Sequence, residues 1–114
     1  MYEVPINLNE PYQEQVLNFL DMRIRITLIY NSVAKFWAMN LYDQDNKRDI
    51  AHGLPLIVAT PLLHRTTERF DFLVTDDSGN GLDPILLEDL GVRNVLLIDT
   101  KEAINEAVRQ IMGS

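Results

Sequence analysis

No cysteine occurs in the 114 residues, which removes disulfide frameworks, thiol nucleophiles and thiolate metal sites together. Histidine is scarce: His52 and His64 are the two present. Neither sits in an HxH or HExxH spacing, and a GxSxG nucleophile elbow is also missing. Long hydrophobic runs are lacking as well. The longest, residues 54–63, contains Pro55, Thr60 and Pro61 and falls short of a bilayer span. Positive charge is in short supply, with 10 Lys and Arg against 17 Asp and Glu and a net charge of −7. An acidic chain has no electrostatic reason to approach phosphate backbones, so no direct nucleic-acid partner is expected. Glu3 stands where an export signal would carry Lys or Arg, and no apolar stretch follows it. These absences predict a soluble protein with no membrane segment and no export signal; the missing cysteines fit a reducing compartment and equally a virion or secreted protein built without Cys. The length suits a single β-rich domain over 1–114, large enough to bury a core without disulfides.

What the chain does contain is alternation. Met22, Ile24, Ile26, Leu28 and Tyr30 alternate with Arg23, Arg25 and Thr27, the period-2 pattern of a half-buried strand. Asn31 and Ser32 tolerate a turn, and the alternation resumes through Val33, Lys35, Trp37, Met39 and Leu41. A two-residue turn would pair Tyr30 with Val33, Ile26 with Trp37 and Ile24 with Met39. One apolar face results, with the single Trp near its middle. A slip by one residue would destroy that face, so the pattern itself constrains the register.

Around this hairpin the remaining elements fall into order. Residues 1–11 read as an N-terminal arm or edge strand, because Pro5 cannot donate to a ladder. Residues 12–20 fit a helical face through Tyr12, Val16 and Phe19 and also suit a strand; the β character of the neighbours favours strand. Residues 42–49 form a polar loop with its tip at Asp45 and Asn46. A strand follows from Ile50, interrupted by Gly53 and Pro55, and an apolar strand is expected to continue to Thr60. Phe70, Phe72 and Val74 alternate in a further strand, and residues 76–81 are the strongest turn signal in the chain. Asp83 and Pro84 predict a short helix near 84–90, with Asp83 as N-cap and Gly91 as the stop. Residues 95–98 read as a short buried strand. A last helix near 101–112 is capped by Asp99 or Thr100 and carries Ile104, Val108 and Ile111 along one face. The fold class is mainly β: a small antiparallel barrel or sandwich with two short helical pieces, the second in a tail over 101–114.

Site chemistry is harder to find. Asp43, Asp45 and Asp49 begin like a calcium loop, but Lys47 and Arg48 occupy the positions that need a ligand and a glycine. Asp76 and Asp77 adjoin a glycine-rich turn with no His or Glu at ligand spacing. No catalytic residue, no cofactor and no metal ligand is assigned, and the chain reads as not an enzyme. Arg23 and Arg25 lie on the polar side of the first hairpin strand. They either form a solvated face or meet acidic groups of this chain or of a partner, since Arg is enriched at interfaces.

Three blocks resemble a known family. The first is Val4, Pro5, Ile6 and Asn7 leading to Pro11, Tyr12 and Gln13. The second is IRITLIYNSVAKFWAMNLYD at 24–43, then GLPL at 53–56 and PLL at 61–63. The third runs from Phe72 to Leu97 with a turn, Asp83-Pro84 and Asp89-Leu90-Gly91. Together they are similar to the baseplate plug proteins of contractile-tailed phages, described from a cyanophage baseplate. The resemblance covers most of residues 2–98 and leaves the last helix outside. It implies a structural virion protein of the tail baseplate, made in the host cytoplasm and placed near tube, hub and spike. Its implied partners are other baseplate proteins (tail tube, hub, spike or wedge) and symmetry copies of itself. Residues 101–114, with Ile104, Val108 and Ile111, are then expected to dock on such a neighbour. The alternative reading is an acidic inhibitor or immunity-type protein that caps a basic partner.

Overall fold

The computed structural model describes residues 1–112. Residues 113 and 114 of the expected tail lie outside the described residues. In chain order the strands are β1 (Tyr2–Glu3), β2 (Tyr12–Phe19), β3 (Met22–Asn31), β4 (Phe36–Asp43), β5 (Arg48–Pro55), β6 (Phe70–Asp76) and β7 (Asn94–Thr100). Helix α1 (Lys101–Met112) ends the described chain. They make two antiparallel sheets, β2-β3-β4-β5 and β1-β7-β6. The fold is sandwich-like and does not close into a barrel.

Alternation decides which side chains meet between the sheets. Ile24, Ile26 and Leu28 of β3 and Trp37, Met39 and Leu41 of β4 are all buried on the inner face of the larger sheet. Phe70, Phe72 and Val74 of β6 and Leu96 and Ile98 of β7 meet them from the smaller one. All five residues from Phe70 to Val74 are buried, because the smaller sheet is covered on both sides. Its outer cover is α1, which packs on β6 and β7. Leu73 and Ile104 are buried there, outside the inter-sheet core. The Thr100 hydroxyl caps the helix by accepting from Ala103 N–H at 3.2 Å.

The central hairpin has the expected face but another register. Tyr30 pairs with Trp37, Leu28 with Met39, Ile26 with Leu41 and Ile24 with Asp43. The pairing is four residues away from the two-residue-turn expectation. An even shift keeps every side chain on its face. The turn chemistry explains the difference. Asn31 Oδ1 accepts from Val33 N–H at 3.0 Å and Ala34 N–H at 2.9 Å, and Lys35 N–H returns to the Asn31 carbonyl at 2.7 Å. Lys35 takes φ 57°, which leaves Val33 exposed on a four-residue turn. The next hairpin repeats the device: Asp43 Oδ1 accepts from Asp45 and Asn46 N–H groups, and Lys47 takes φ 51°. The β2–β3 turn is the two-residue kind, with Leu20 and Asp21 both at positive φ and Phe19 facing Met22.

Two other expectations are corrected. The strand expected to reach Thr60 ends at Pro55. Residues 56–62 change partners instead. Leu56 N–H still donates to Trp37 of β4 at 3.0 Å, while Ala59 N–H donates to Val74 of β6 at 2.9 Å. Ala59 at φ 58° is the corner between the sheets. The helix expected near 84–90 is reduced to a 3₁₀ turn, Leu87–Asp89. Asp83 does not cap it, because its carboxylate accepts from Val58 N–H at 2.8 Å. Asp89 takes the N–H groups of Ile85 and Leu86 at 3.1 and 2.9 Å.

Asp71 is a buried carboxylate with a defined task. Oδ1 accepts from Leu63 N–H at 2.6 Å and Phe72 N–H at 2.7 Å, whereas Oδ2 has no partner. Burial pushes its pKa up, against those two hydrogen bonds and the charge of Lys101. Asp71→Asn keeps the accepting oxygen and removes the buried charge, so its stability should stay within about 1 kcal/mol of the parent at pH 7. Asp71→Ala leaves two buried N–H groups unpaired and should cost about 2–4 kcal/mol. Urea titrations of the two variants check the contrast; equal losses would show that the charge itself is needed.

Candidate interaction surfaces

The residues singled out as chemical candidates build turns or lie exposed on strand β5, as Asp49 and His52 do. Asp43 is fully buried and caps its hairpin, with Arg48 at 3.6 Å. The Asn46 side chain leads the effects that lower its pKa. Asp45 pairs with Arg23 at 2.8 Å, and Asp49 lies 3.5 Å from His52, both well exposed. His64 Nδ1 contacts the Pro61 carbonyl at 2.7 Å. Among the described residues no cluster of three or more His, Asp or Glu side chains could hold a metal ion. No helix among them is long and apolar enough to cross a membrane.

Arg23 and Arg25 lie on the outer face of β3 and meet acidic groups of their own chain. Arg23 also donates its N–H to Asp45 at 3.0 Å. Arg25 reaches Glu14 at 3.5 Å and lies 4.6 Å over the Tyr42 ring. The three helix positions diverge. Ile104 is buried against this chain's own sheet, Val108 is half-buried and Ile111 is half-exposed. Lys101 Nζ fixes the start of the helix on the carbonyls of Leu63 and Thr66 at 2.8 and 2.6 Å. The helix therefore docks on its own sheet first.

A residue passed over in the sequence organises the most distinctive surface. Arg93 donates to the carbonyls of Leu82 at 3.0 Å and Asp83 at 2.9 Å, and it pairs with Asp89 at 3.0 Å and Asp76 at 3.2 Å. Asn94 Nδ2 adds a second donor to Leu82 at 2.9 Å. Tyr30 of the larger sheet donates its hydroxyl to the Ile85 carbonyl at 2.7 Å. The loop of residues 82–86 is thus held from below by its backbone, and Leu82, Ile85 and Leu86 are left exposed. Ile57, next to the Val58 that bonds Asp83, is exposed beside them. Spacing gave one signal for this network: Asp89 and Arg93 stand four apart.

The same network makes the loop sensitive to acid. Asp76 is held at a pKa of about 2 by the Leu82 N–H, the Ser78 hydroxyl and N–H and the charge of Arg93, against some burial. Burial opposes ionisation of Asp89, and Arg93 with the Leu86 and Ile85 N–H groups overcomes it, so this pKa is lowered too. A depressed carboxylate contributes stability above its unfolded pKa and loses it as pH falls through the folded value. The melting temperature should therefore fall between about pH 4 and pH 2, and Asp76→Asn should flatten part of that fall. Asp71, whose pKa is raised, works in the opposite direction and gains as the pH drops. An unchanged acid limb in the Asp76→Asn melts would remove Asp76 from the explanation.

With this geometry in place, the comparison with known families is decisive. The family model described as the cyanophage baseplate Pam3 plug gp18 matches residues 1–102. The chain belongs to that baseplate plug family. No curated protein matches it. The matched span takes in both sheets, the Arg93 network and the first two residues of α1. Membership of the plug family gives the chain a structural role in a phage tail baseplate, as part of the virion. The sandwich therefore serves an assembly in which other baseplate components are its neighbours.

Proposed function

We propose that this chain is a non-catalytic plug-like component near the tail tube, hub and spike, and that it works through protein contacts alone. The family match over residues 1–102 carries the reading. The arrangement of side chains supports it. The buried carboxylates cap turns and hold loops, and the stapled loop presents Leu82, Ile85 and Leu86 outward. A rigid backbone beneath exposed apolar side chains suits a contact that must not lose conformational freedom on assembly. The outer face with Arg23 and Arg25, and the end of α1 with Val108 and Ile111, complete the surface offered to neighbours and to symmetry copies. The test is genetic complementation of tails lacking the protein. The parent chain should restore baseplates, whereas Ile85→Asp combined with Leu86→Asp should fold and fail to enter them. Entry of the folded double variant at parent levels would contradict the contact role of this loop. Failure of the parent chain to appear in tails would contradict the whole reading.

A further inference from the structure

Most sheet edges of this sandwich are protected. β1 is two residues long. The outer side of β6 is taken by Ala59 and Leu62, whose N–H groups donate to Val74 and Phe72. The edge at β5 is irregular, with register shifts beside Leu41, Gly53 at φ 64° and Pro55 at its end. These are the devices that keep strands from pairing with other chains.

β2 has none of them. It is eight residues long, without proline, lysine or bulge, and it pairs with β3 alone. Tyr30 N–H donates to the Pro11 carbonyl at 2.7 Å, which sets the phase of the ladder. Gln13, Gln15, Leu17 and Phe19 therefore bond inward to β3, and the N–H and C=O groups of Tyr12, Glu14, Val16 and Asn18 point away from the sheet. All four residues are exposed. Beside this edge, between β2 and the N-terminal strand, an apolar groove of about 540 Å³ is lined by Tyr2, Pro5, Leu17, Phe19 and Leu20, with Glu3 at its side. Glu10 and Asp21 flank the two ends of β2, and neither they nor Glu3 has an ion-pair partner among the described residues.

We propose that the β2 edge takes up an extended strand of another protein, one that alternates basic and apolar side chains. The backbone of that strand would bond Tyr12, Glu14, Val16 and Asn18. Its apolar side chains would face the groove, with Glu3 at its rim, and its basic ones the opposite face, beside Glu14 and the flanking Glu10 and Asp21. A second copy of this chain fits less well. The antiparallel pairing that uses all four outward residues sets Tyr12 against Asn18 and Glu14 against Val16 of the other copy. The same register brings Glu10 beside Asp21 of that copy at both ends, in a chain that already carries a net charge of −7. The inference deepens the assembly reading and rests on it only for the existence of such a partner.

The probe is a blocked octapeptide alternating lysine and valine, added to the full chain and followed by amide NMR and hydrogen exchange. It should slow exchange at Tyr12, Glu14, Val16 and Asn18, and a peptide alternating glutamate and valine should not. Val16→Pro removes an outward N–H and leaves the inner ladder intact, so the variant should fold and bind the lysine peptide about tenfold more weakly. If that variant does not fold, Val16→Lys should weaken binding by repulsion at the same edge. Failure of the lysine peptide to bind, equal binding of the glutamate peptide, or protection of other amides would overturn the inference. Protection that grows with protein concentration alone would replace the foreign strand with a second copy. None of these failures would affect entry of the chain into baseplates, which is tested separately.

Discussion

Trp37→Ala should lower the free energy of unfolding by about 3–5 kcal/mol. Trp37 is the largest side chain in the core, 1% exposed, and its ring lies 5.4 Å from that of Tyr30. It stands in the middle layer, where the inner face of β4 meets the smaller sheet. Truncation removes most of its buried area and leaves a cavity between two sheets whose backbones are fixed by their own ladders. Trp37 Nε1 has no hydrogen-bond partner, so Trp37→Phe loses volume and no polar contact. That variant should cost no more than about 1–2 kcal/mol. Denaturant midpoints at unchanged m-value measure both. A midpoint for Trp37→Ala near the parent's would show that the two sheets can collapse into the gap.

Arg93→Ala should cost about 2–4 kcal/mol and act mainly on the loop above it. The substitution strands the Asp83 carbonyl, takes one of two donors from the Leu82 carbonyl, and removes the counter-charge of Asp76 and Asp89. Arg93→Lys should recover only part of the loss, because one ammonium cannot span both carbonyls and both carboxylates. Hydrogen exchange would locate the damage: Ile85, Leu86 and Asp89 N–H groups should exchange faster, while β3 and β4 stay protected up to the global limit. Uniform acceleration through both sheets would show that the network holds the core and not only the loop.

The strands were legible because a period of two survives most ambiguity. Residues 12–20 could be read as helix or strand from their own pattern, and the β character around them gave the right answer. The central hairpin lies four residues from the expected pairing because Asn31 and Lys35 act at a distance of one turn, and the side-chain pattern does not distinguish even shifts. The helix expected near 84–90 fails to form for a related reason. Asp83, Pro84 and Gly91 are local helix signals, and tertiary bonds from Val58 and Arg93 capture the backbone and the carboxylate that a helix would need. Gly91 itself answers to packing. At φ 91°, a Cβ there would lie 2.8 Å from Leu8 and 3.0 Å from Ile6 of the N-terminal arm. The surface was the least legible part. Arg23 and Arg25 could be named from alternation, but their partners Asp45 and Glu14 come from other strands and turns. The Arg93 hub gathers groups from β6, β7 and the loop between them, and sequence order alone does not bring them together.

The central claim is that this sandwich works as a built-in part of a baseplate, through its surface. The most direct measurement is a cryo-electron microscopy reconstruction of the assembled tail. The account predicts density for both sheets near tube, hub and spike, with residues 82–86 against a neighbouring protein. A baseplate without that density, or with the sandwich present and the loop of residues 82–86 facing solvent on every copy, would contradict it.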